Sequence, residues 1–293
     1  MAATTKPFPP GIHVPSLTFF RDDARQEIDW EVQEKHVEFL ISSGLHGIVL
    51  AGTSGEAISL TVSEKCELVR RTRQIARKLG RPDIPLTLAG ADFVLILVSS
   101  FFHFAVNNDR AIIDFYTGVA DASPIPVVIY NYPGVTAGID ISSDVIDVPG
   151  KHPNIVGAKF TCGSVAKVAR AAAAFPPEQF SALAGQGDWL IPAMTVGGQG
   201  TCVELLEFYR AGKVTEAQRL QLQVSVSELG LGKGGINGTK RVVAKLRGYP
   251  DSSAACRRPY PLFTDQAKQD MVMNRMKLLQ DMEMRLASND WKA

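Results

Sequence analysis

A lysine stands near the end of an apolar run that has the composition of a short buried strand. The run is "IVGAKF", residues 155–160, and Lys159 is its only charged residue. Burying an ammonium group is costly unless the group is paired or loses its proton, and the same penalty lowers the pKa of an amine. Lys159 is therefore a candidate amine nucleophile. The alternative is a surface lysine at a strand end, and this run alone leaves both interpretations open.

A tyrosine occupies the same position on the preceding strand. The run "VVIYN" carries Tyr130 at its end, roughly thirty residues before Lys159, which is the spacing of one strand–helix–strand unit. Side chains alternate between the two faces of a strand, so Lys159 and Gly157 point to the same face. If that face is the interior of a barrel, Val156, Ala158 and Phe160 are predicted to face the surrounding helices. Tyr130 is a candidate proton carrier near the amine, or else part of the core packing.

A third group of polar residues follows another predicted strand. The sequence "GTSG" at 52–55 permits a tight turn, and Gly52, Thr53 and Ser54 offer hydroxyl and backbone N–H donors that suit a carboxylate. The alternative is an ordinary glycine loop. A second glycine-rich stretch, "GKGGINGTK" at 232–240, is out of register with a phosphate-binding loop, so we assign it no phosphate.

Composition limits the classes of partner. The 293 residues carry a formal net charge of +1 with no basic block, so neither nucleic acid nor an anionic membrane is indicated. We expect a small-molecule partner, or another copy of the chain. The four cysteines form no C-x-x-C pair and the five histidines no metal-binding spacing, so we predict a cytoplasmic protein with reduced thiols and without a metal ion or cofactor. The amino terminus resembles neither a signal peptide nor a transit peptide.

Strand and helix patterns alternate along most of the chain. Seven strands can be recognised, an eighth is weakly indicated by "GGQGTCVELL", and the alternation predicts an α/β fold, a TIM (β/α)₈ barrel. Thr61 and Glu64 form a capping-box pattern at the start of one helix. Two helices in the carboxy-terminal region complete the prediction: a flexible arm over 1–10, the barrel over 11–210 and a helical extension over 211–293.

One connection is too short for a regular barrel. The segment "IPLTLAGADFVLILV" passes from the third strand directly into the fourth, whereas parallel neighbours need a crossover of a dozen or more residues. A second shortening is expected at the eighth strand. We predict a distorted or incomplete barrel of low stability and weak activity. The apolar stretch 84–106 also permits a membrane span, but Asp92, Pro85 and Gly90 favour two adjoining strands.

Three motifs together resemble a known family. "GTSGEA" at 52–57, "VVIYNYPG" at 127–134 and "NIVGAKF" at 154–160 are similar, in order and spacing, to the dihydrodipicolinate synthase/N-acetylneuraminate lyase family of class I aldolases, in particular to fungal 4-hydroxy-2-oxoglutarate and 2-keto-3-deoxy-L-galactonate aldolases. The resemblance implies that Lys159 forms a Schiff base with a 2-oxo acid and that Tyr130 moves protons. It also implies that Thr53 and Ser54 bind the carboxylate, and that the chain forms a homo-oligomer, a dimer or a tetramer.

Two positions depart from the family pattern. Phe101 and Phe102 stand where family members carry a tyrosine of the proton relay, and Val135 stands where dihydrodipicolinate synthases carry a carboxylate-binding arginine. We therefore expect a lyase that cleaves a 4-hydroxy-2-oxo acid to pyruvate and an aldehyde. The alternatives are a condensation of the dihydrodipicolinate synthase type and a non-catalytic, degenerate family member.

Overall fold

The computed structural model describes residues 7–88, 91–200 and 208–287. The strands found there are β1 His13–Pro15, β2 Gly47–Val49, β3 Leu86–Thr87, β4 Val94–Leu97, β5 Val127–Asn131, β6 Ile155–Phe160 and β7 Ser181–Ala184. The helices are α1 Trp30–Ser42, α2 Val62–Lys78, α3 His103–Val106, α4 Asp109–Ala122, α5 Ser143–Asp147, α6 Val165–Ala174, α7 Leu190–Thr195, α8 Val214–Arg247 and α9 Gln266–Ala287. The predicted alternation of strands and helices is confirmed.

The chain divides into two compact units. Among the described residues, the first unit contains 7–14, 46–48 and 85–200, and the second contains 15–45, 49–84 and 208–287. The first unit holds nearly all of the sheet structure. Its strands form a sheet of three, in the order β1-β2-β3, and a parallel sheet of four, in the order β4-β5-β6-β7. In β5 every residue is buried, as expected for a parallel strand covered on both faces.

The short connection between β3 and β4 is accompanied by a very short β3. In the described part of the chain β3 has two residues, and a parallel bridge from Thr87 to Phe93 joins the two sheets. Phe93 donates its N–H to the Leu86 carbonyl at 3.3 Å, and its own carbonyl accepts from Leu88 at 2.9 Å. The described part of this connection contains no helix. The sheet is thus distorted here as predicted, but both short strands remain hydrogen-bonded.

Backbone hydrogen bonds also continue from β7 to the segment before β1. Gln199 donates its N–H to the Ala182 carbonyl at 2.9 Å, and its carbonyl accepts from Gly11 at 3.0 Å. Gln199 thus occupies the position expected of an eighth strand, between the seventh strand and the first. The rest of the predicted eighth strand, from 201 onward, lies outside the described residues.

A register shift changes which residues of β6 face the interior. Val127 pairs with Ile155 but Val128 pairs with Gly157, so β6 has one extra residue at this point. Val156 packs in a buried cluster with Val128 and Leu183. The expectation that Val156 faces the helices is therefore wrong, because strict alternation ends at a bulge.

The residues just before β1 are packed against this same cluster. Phe8 is 1% exposed and contacts Phe93 edge to face, with ring centroids 5.0 Å apart. The Ser181 hydroxyl donates to the Phe8 carbonyl at 2.9 Å. The prediction of a flexible arm over 1–10 is therefore wrong at Phe8, where burial of an aromatic ring offsets the entropy of ordering the chain. Residues 1–6 lie outside the described range.

Gly157 is needed where β6 and β7 meet. A Cβ atom at Gly157 would lie 2.6 Å from the Ser181 carbonyl oxygen, whereas one at Gly118, on the exposed face of α4, would meet nothing within 4 Å. We expect Gly157→Ala to lower the free energy of unfolding by about 1–3 kcal/mol, because neither backbone can move freely. The control Gly118→Ala should raise it by about 0.5–1 kcal/mol, since alanine favours a helix. Urea denaturation of both variants measures the difference, and equal effects would contradict the assigned contact.

The second unit consists mainly of helices. α2 begins at the predicted capping box: the Thr61 hydroxyl accepts from the Glu64 N–H at 3.2 Å, and the Glu64 carboxylate accepts from the Thr61 N–H at 2.9 Å. α8 is interrupted at Gly235, whose φ of 63° lies in the left-handed region. α8 and α9 pack against each other along much of their length. None of the described helices combines the length and apolar character that crossing a membrane requires.

Candidate active site

Lys159 and Tyr130 lie side by side at the carboxyl ends of two adjacent parallel strands. Tyr130 of β5 and Lys159 of β6 are register partners. The Lys159 Nζ atom is 4.7 Å from the centroid of the Tyr130 ring, a cation–π distance. Tyr130 is buried, at 7% exposure, and Lys159 is half-buried. The structure thus brings these two predicted site residues together.

The segment after Tyr130 is anchored by a small polar network. The Asn131 side chain donates to an Asp140 carboxylate oxygen at 2.8 Å and accepts from the Ile141 N–H at 3.1 Å. The Lys167 ammonium group donates to the same Asp140 oxygen and to the Ile141 carbonyl, the latter at 2.7 Å. These bonds hold the end of β5 in place and thereby fix the position of the Tyr130 backbone.

A second tyrosine, which the sequence analysis did not select, lies next to Tyr130. The rings of Tyr130 and Tyr132 have centroids 5.8 Å apart and are tilted by 33°. Burial raises the pKa of Tyr132, and the neighbouring Tyr130 acts in the same direction. The Tyr132 hydroxyl therefore keeps its proton at neutral pH. Tyr132 lies two residues beyond Tyr130 in the quoted motif, but nothing in the sequence indicates that the two rings are adjacent.

A buried histidine also belongs to the surroundings of Lys159. Burial lowers the pKa of His13 to about 4, and the positive charges of His46 and Lys159 contribute in the same direction. His13 Nε2 lies 2.9 Å from the Pro9 carbonyl, while its buried Nδ1 makes no hydrogen bond within the described residues. His13 is therefore neutral near pH 7 and adds no second cation beside Lys159.

The Gly52–Ser54 turn belongs to the second unit. The Gly52 carbonyl accepts from the Ala57 N–H at 3.2 Å, and the Thr53 carbonyl accepts from the Glu56 N–H at 3.1 Å. Thr53 and Ser54 are partly exposed. The residues therefore form a hydrogen-bonded turn whose two hydroxyl side chains remain accessible.

The two departures from the family pattern lie on accessible parts of the chain. Phe101 and Phe102 are 86% and 58% exposed, and their rings meet edge to face with centroids 4.9 Å apart. Val135 is 40% exposed and follows β5 in a short 3₁₀ turn. Neither position offers a hydroxyl or a positive charge.

Within residues 7–88, 91–200 and 208–287, no group of three or more His, Cys, Asp or Glu side chains is arranged to hold a metal ion. The chemistry that these residues can support is that of an amine beside a phenol. An amine on a half-buried strand end can add to a carbonyl group, and a nearby phenol can transfer protons to or from the adduct.

A buried ion pair joins two stretches that no sequence pattern connects. Lys240 and Glu56 have fully buried side chains, and their charged atoms are 2.9 Å apart. Glu56 was part of a recognised motif, but Lys240 lay in the stretch that was rejected as a phosphate loop. The two residues are 184 positions apart, and no local pattern predicts that they meet.

Comparison with known proteins shows clear relatives. The chain is 35% identical, over 83% of its own length and 87% of the relative's, to a protein of Emericella nidulans named "Probable 4-hydroxy-2-oxoglutarate aldolase, mitochondrial". It is 32% identical to the L-threo-3-deoxy-hexylosonate aldolase of Aspergillus niger, over 83% of this chain and 88% of the relative. The name of the Emericella relative places that protein in the mitochondrion, so the expectation of a cytoplasmic protein is wrong.

The fold is shared as well. A crystal structure of a dihydrodipicolinate synthase family protein from Coccidioides immitis matches with a TM-score of 0.82 and 32% identity, covering 97% of this chain and 99% of that one. The likeness confirms the predicted TIM barrel. The model of the dihydrodipicolinate synthetase family matches residues 9–79 and 86–277, and the chain therefore belongs to that family.

Proposed function

We propose that the chain is a Schiff-base-forming (class I) aldolase that cleaves a 4-hydroxy-2-oxo acid into pyruvate and an aldehyde. The observation that carries this proposal is the pairing of Lys159 with Tyr130 at the ends of adjacent strands, with Nζ 4.7 Å from the ring centroid. The names of the fungal relatives support the same reaction class. The expected partner is a small 2-oxo acid.

In the proposed reaction, the neutral Lys159 amine attacks the C2 keto carbon, and loss of water leaves an iminium. Removal of the proton from the 4-hydroxyl group then breaks the C3–C4 bond. The aldehyde departs, and the electron pair of the broken bond moves into the iminium, which becomes an enamine. Protonation at C3 and hydrolysis release pyruvate and restore the amine. Tyr130 is proposed to carry protons in these steps.

The Gly52–Ser54 turn is proposed to bind the carboxylate of the 2-oxo acid. Its support is the resemblance of "GTSGEA" to the family motif, together with two accessible hydroxyl groups on a hydrogen-bonded turn. Hydroxyl and backbone N–H donors suit a carboxylate without adding a net charge. The interpretation of the chain as a homo-oligomer, a dimer or a tetramer, stays a prediction.

The identity of Val135 predicts a preference for cleavage. An apolar side chain at this position cannot pair with the carboxylate of a second substrate, so we expect faster cleavage of 4-hydroxy-2-oxo acids than condensation of pyruvate with aspartate semialdehyde. A coupled assay of pyruvate release across a panel of 4-hydroxy-2-oxo acids, beside a condensation assay, measures the ratio. Faster condensation would reverse the assignment.

A variant pair sharpens this test. Val135→Arg should raise condensation relative to cleavage, and the 40% exposure of Val135 leaves room for the longer side chain. Val148→Arg, at a position that is 50% exposed and outside the proposed site, serves as the control for an added positive charge. An equal shift in both variants would mean that position 135 does not select the second substrate.

A further inference from the structure

Lys240 is buried without any contact with solvent, an unusual situation for a lysine. Its side chain is 0% exposed and lies on the part of α8 that follows the interruption at Gly235. A buried ammonium group is tolerated only where partners replace the water that it has lost. The partners of Lys240 therefore identify the segments that this buried lysine holds together.

Among residues 7–88, 91–200 and 208–287, the partners of the Lys240 ammonium group lie within the second unit. Nζ donates to Glu56 Oε1 at 2.9 Å and to the Ala255 carbonyl at 2.6 Å, and it lies 4.7 Å from the centroid of the Phe20 ring. Burial lowers the pKa of Lys240, and the Glu56 carboxylate acts in the opposite direction. The neighbouring thiol is not a competing anion, because burial raises the pKa of Cys256 to about 12. Glu56 is thus the anionic partner of Lys240.

Glu56 joins this lysine to the Gly52–Ser54 turn. Its backbone has a φ of 56°, in the left-handed region that residues with a side chain rarely adopt. Its N–H donates to the Thr53 carbonyl at 3.1 Å, and its second carboxylate oxygen accepts from the Arg257 N–H at 2.8 Å. Both oxygens of the Glu56 carboxylate are therefore held while its backbone closes the turn in a strained conformation.

The segment that follows the turn is also clamped. The Arg257 guanidinium group donates to the two Glu64 carboxylate oxygens at 2.6 and 3.0 Å and to the Ser59 carbonyl at 2.8 Å. The Thr18 hydroxyl donates to the Gly55 carbonyl at 2.8 Å. The chain directly after Ser54 is thus fixed at several points, whereas Thr53 and Ser54 themselves are partly exposed.

We propose that Lys240 and Glu56 are positioning residues, which hold the Gly52–Ser54 turn in the conformation that binds the carboxylate of the substrate. This inference rests on the proposed function of that turn. A buried ion pair contributes little net stability compared with an apolar replacement, but it specifies one arrangement of the groups that it joins. Here the arrangement is a strained turn, which would relax if Glu56 were released.

The test separates positioning from stability. Lys240→Met and Glu56→Gln each leave one member of the pair buried without its partner and should lower the melting temperature, whereas the double variant Lys240→Met/Glu56→Gln should recover most of it. The double variant should still require about tenfold more pyruvate for half-maximal borohydride trapping, equivalent to about 1.4 kcal/mol. Its trapping rate at saturating pyruvate should stay within about threefold of the parent, because Lys159 is untouched.

The control is a second lysine–carboxylate pair, between Lys245 on the same helix and Asp251 just after its end. Lys245 and Asp251 form an ion pair of 2.8 Å with side chains that are 44% and 66% exposed. Lys245→Met/Asp251→Asn removes the same two charges and should alter neither the melting temperature nor the half-saturation appreciably, since exposed pairs contribute little.

A further variant covers the case in which the double variant does not fold. Glu56→Asp keeps both charges but shortens the side chain by one methylene group, so either the ion pair or the turn must shift. The pyruvate concentration for half-maximal trapping should again rise. If the folded double variant, or Glu56→Asp, needs no more pyruvate than the parent for half-maximal trapping, the positioning role is wrong and the proposed function is unaffected. Absence of any adduct in the parent protein would overturn both proposals.

Discussion

Replacing Lys159 with alanine is expected to abolish the adduct that the protein forms with pyruvate and sodium borohydride. Borohydride reduces the imine between an amine and pyruvate to a stable secondary amine, so the reactive lysine carries the added mass. We expect one pyruvyl group per chain in the parent, located at Lys159 by peptide mass spectrometry. Turnover of a 4-hydroxy-2-oxo acid should fall by about 10⁴–10⁶-fold, the scale of losing a covalent nucleophile.

Two variants make this result specific. Lys159→Met removes the amine but keeps a side chain of similar length, so it should behave as the alanine variant does and separates loss of chemistry from loss of packing. Lys151→Ala, at an exposed position four residues before β6 begins at Ile155, should trap pyruvate as the parent does. A reduced adduct on a different lysine would show that the strand-end amine is not the nucleophile.

Tyr130→Phe is expected to reduce turnover by about 10²–10⁴-fold with little change in pyruvate binding. The reason is that a proton-transferring hydroxyl acts mainly in the transition state, whereas the aromatic ring beside Lys159 is retained in the variant. Thr53→Val should show the opposite pattern, with weaker binding and a smaller change in turnover. Steady-state kinetics, with borohydride trapping as the binding assay, distinguish the two patterns.

Tyr116→Phe is the matched control for the loss of a buried tyrosine hydroxyl. The Tyr116 hydroxyl donates to the Ile96 carbonyl at 3.1 Å, and burial raises its pKa. Its removal should lower the free energy of unfolding by about 1 kcal/mol and leave turnover unchanged. Two outcomes would contradict the proton-transfer role of Tyr130. In the first, Tyr130→Phe lowers stability without changing turnover, as Tyr116→Phe is expected to do. In the second, Tyr130→Phe and Thr53→Val both change only the affinity for pyruvate.

Local patterns were sufficient to predict the alternation of elements and the meeting of Lys159 with Tyr130. A strand has a fixed side-chain period, and one strand–helix–strand unit returns the chain to the neighbouring position in a parallel sheet. Two residues in phase at the ends of consecutive strands therefore become neighbours, as the register of Tyr130 and Lys159 confirms. The capping box of Thr61 and Glu64 was predictable for the same reason, since all its contacts lie within one helical turn.

The structural predictions that proved wrong concern positions where a local sequence rule does not hold. Val156 was assigned to the wrong face because the period of two ends at a bulge, and a bulge depends on the partner strand rather than on residues 155–160 alone. Phe8 was assigned to a flexible arm because the amino-terminal segment has no apolar core, although the Phe8 ring is buried against Phe93. In both cases the outcome depends on residues distant in the chain.

The Lys240–Glu56 pair is the clearest case of a feature that required the folded chain. Its members are 184 residues apart; one belongs to a predicted substrate-binding turn, and the other to a glycine-rich stretch to which the sequence assigns no function. Short-range patterns predict elements because backbone geometry repeats along the chain. A buried charge finds its partner only through packing, since it must replace lost water with whatever group the fold brings within 3 Å.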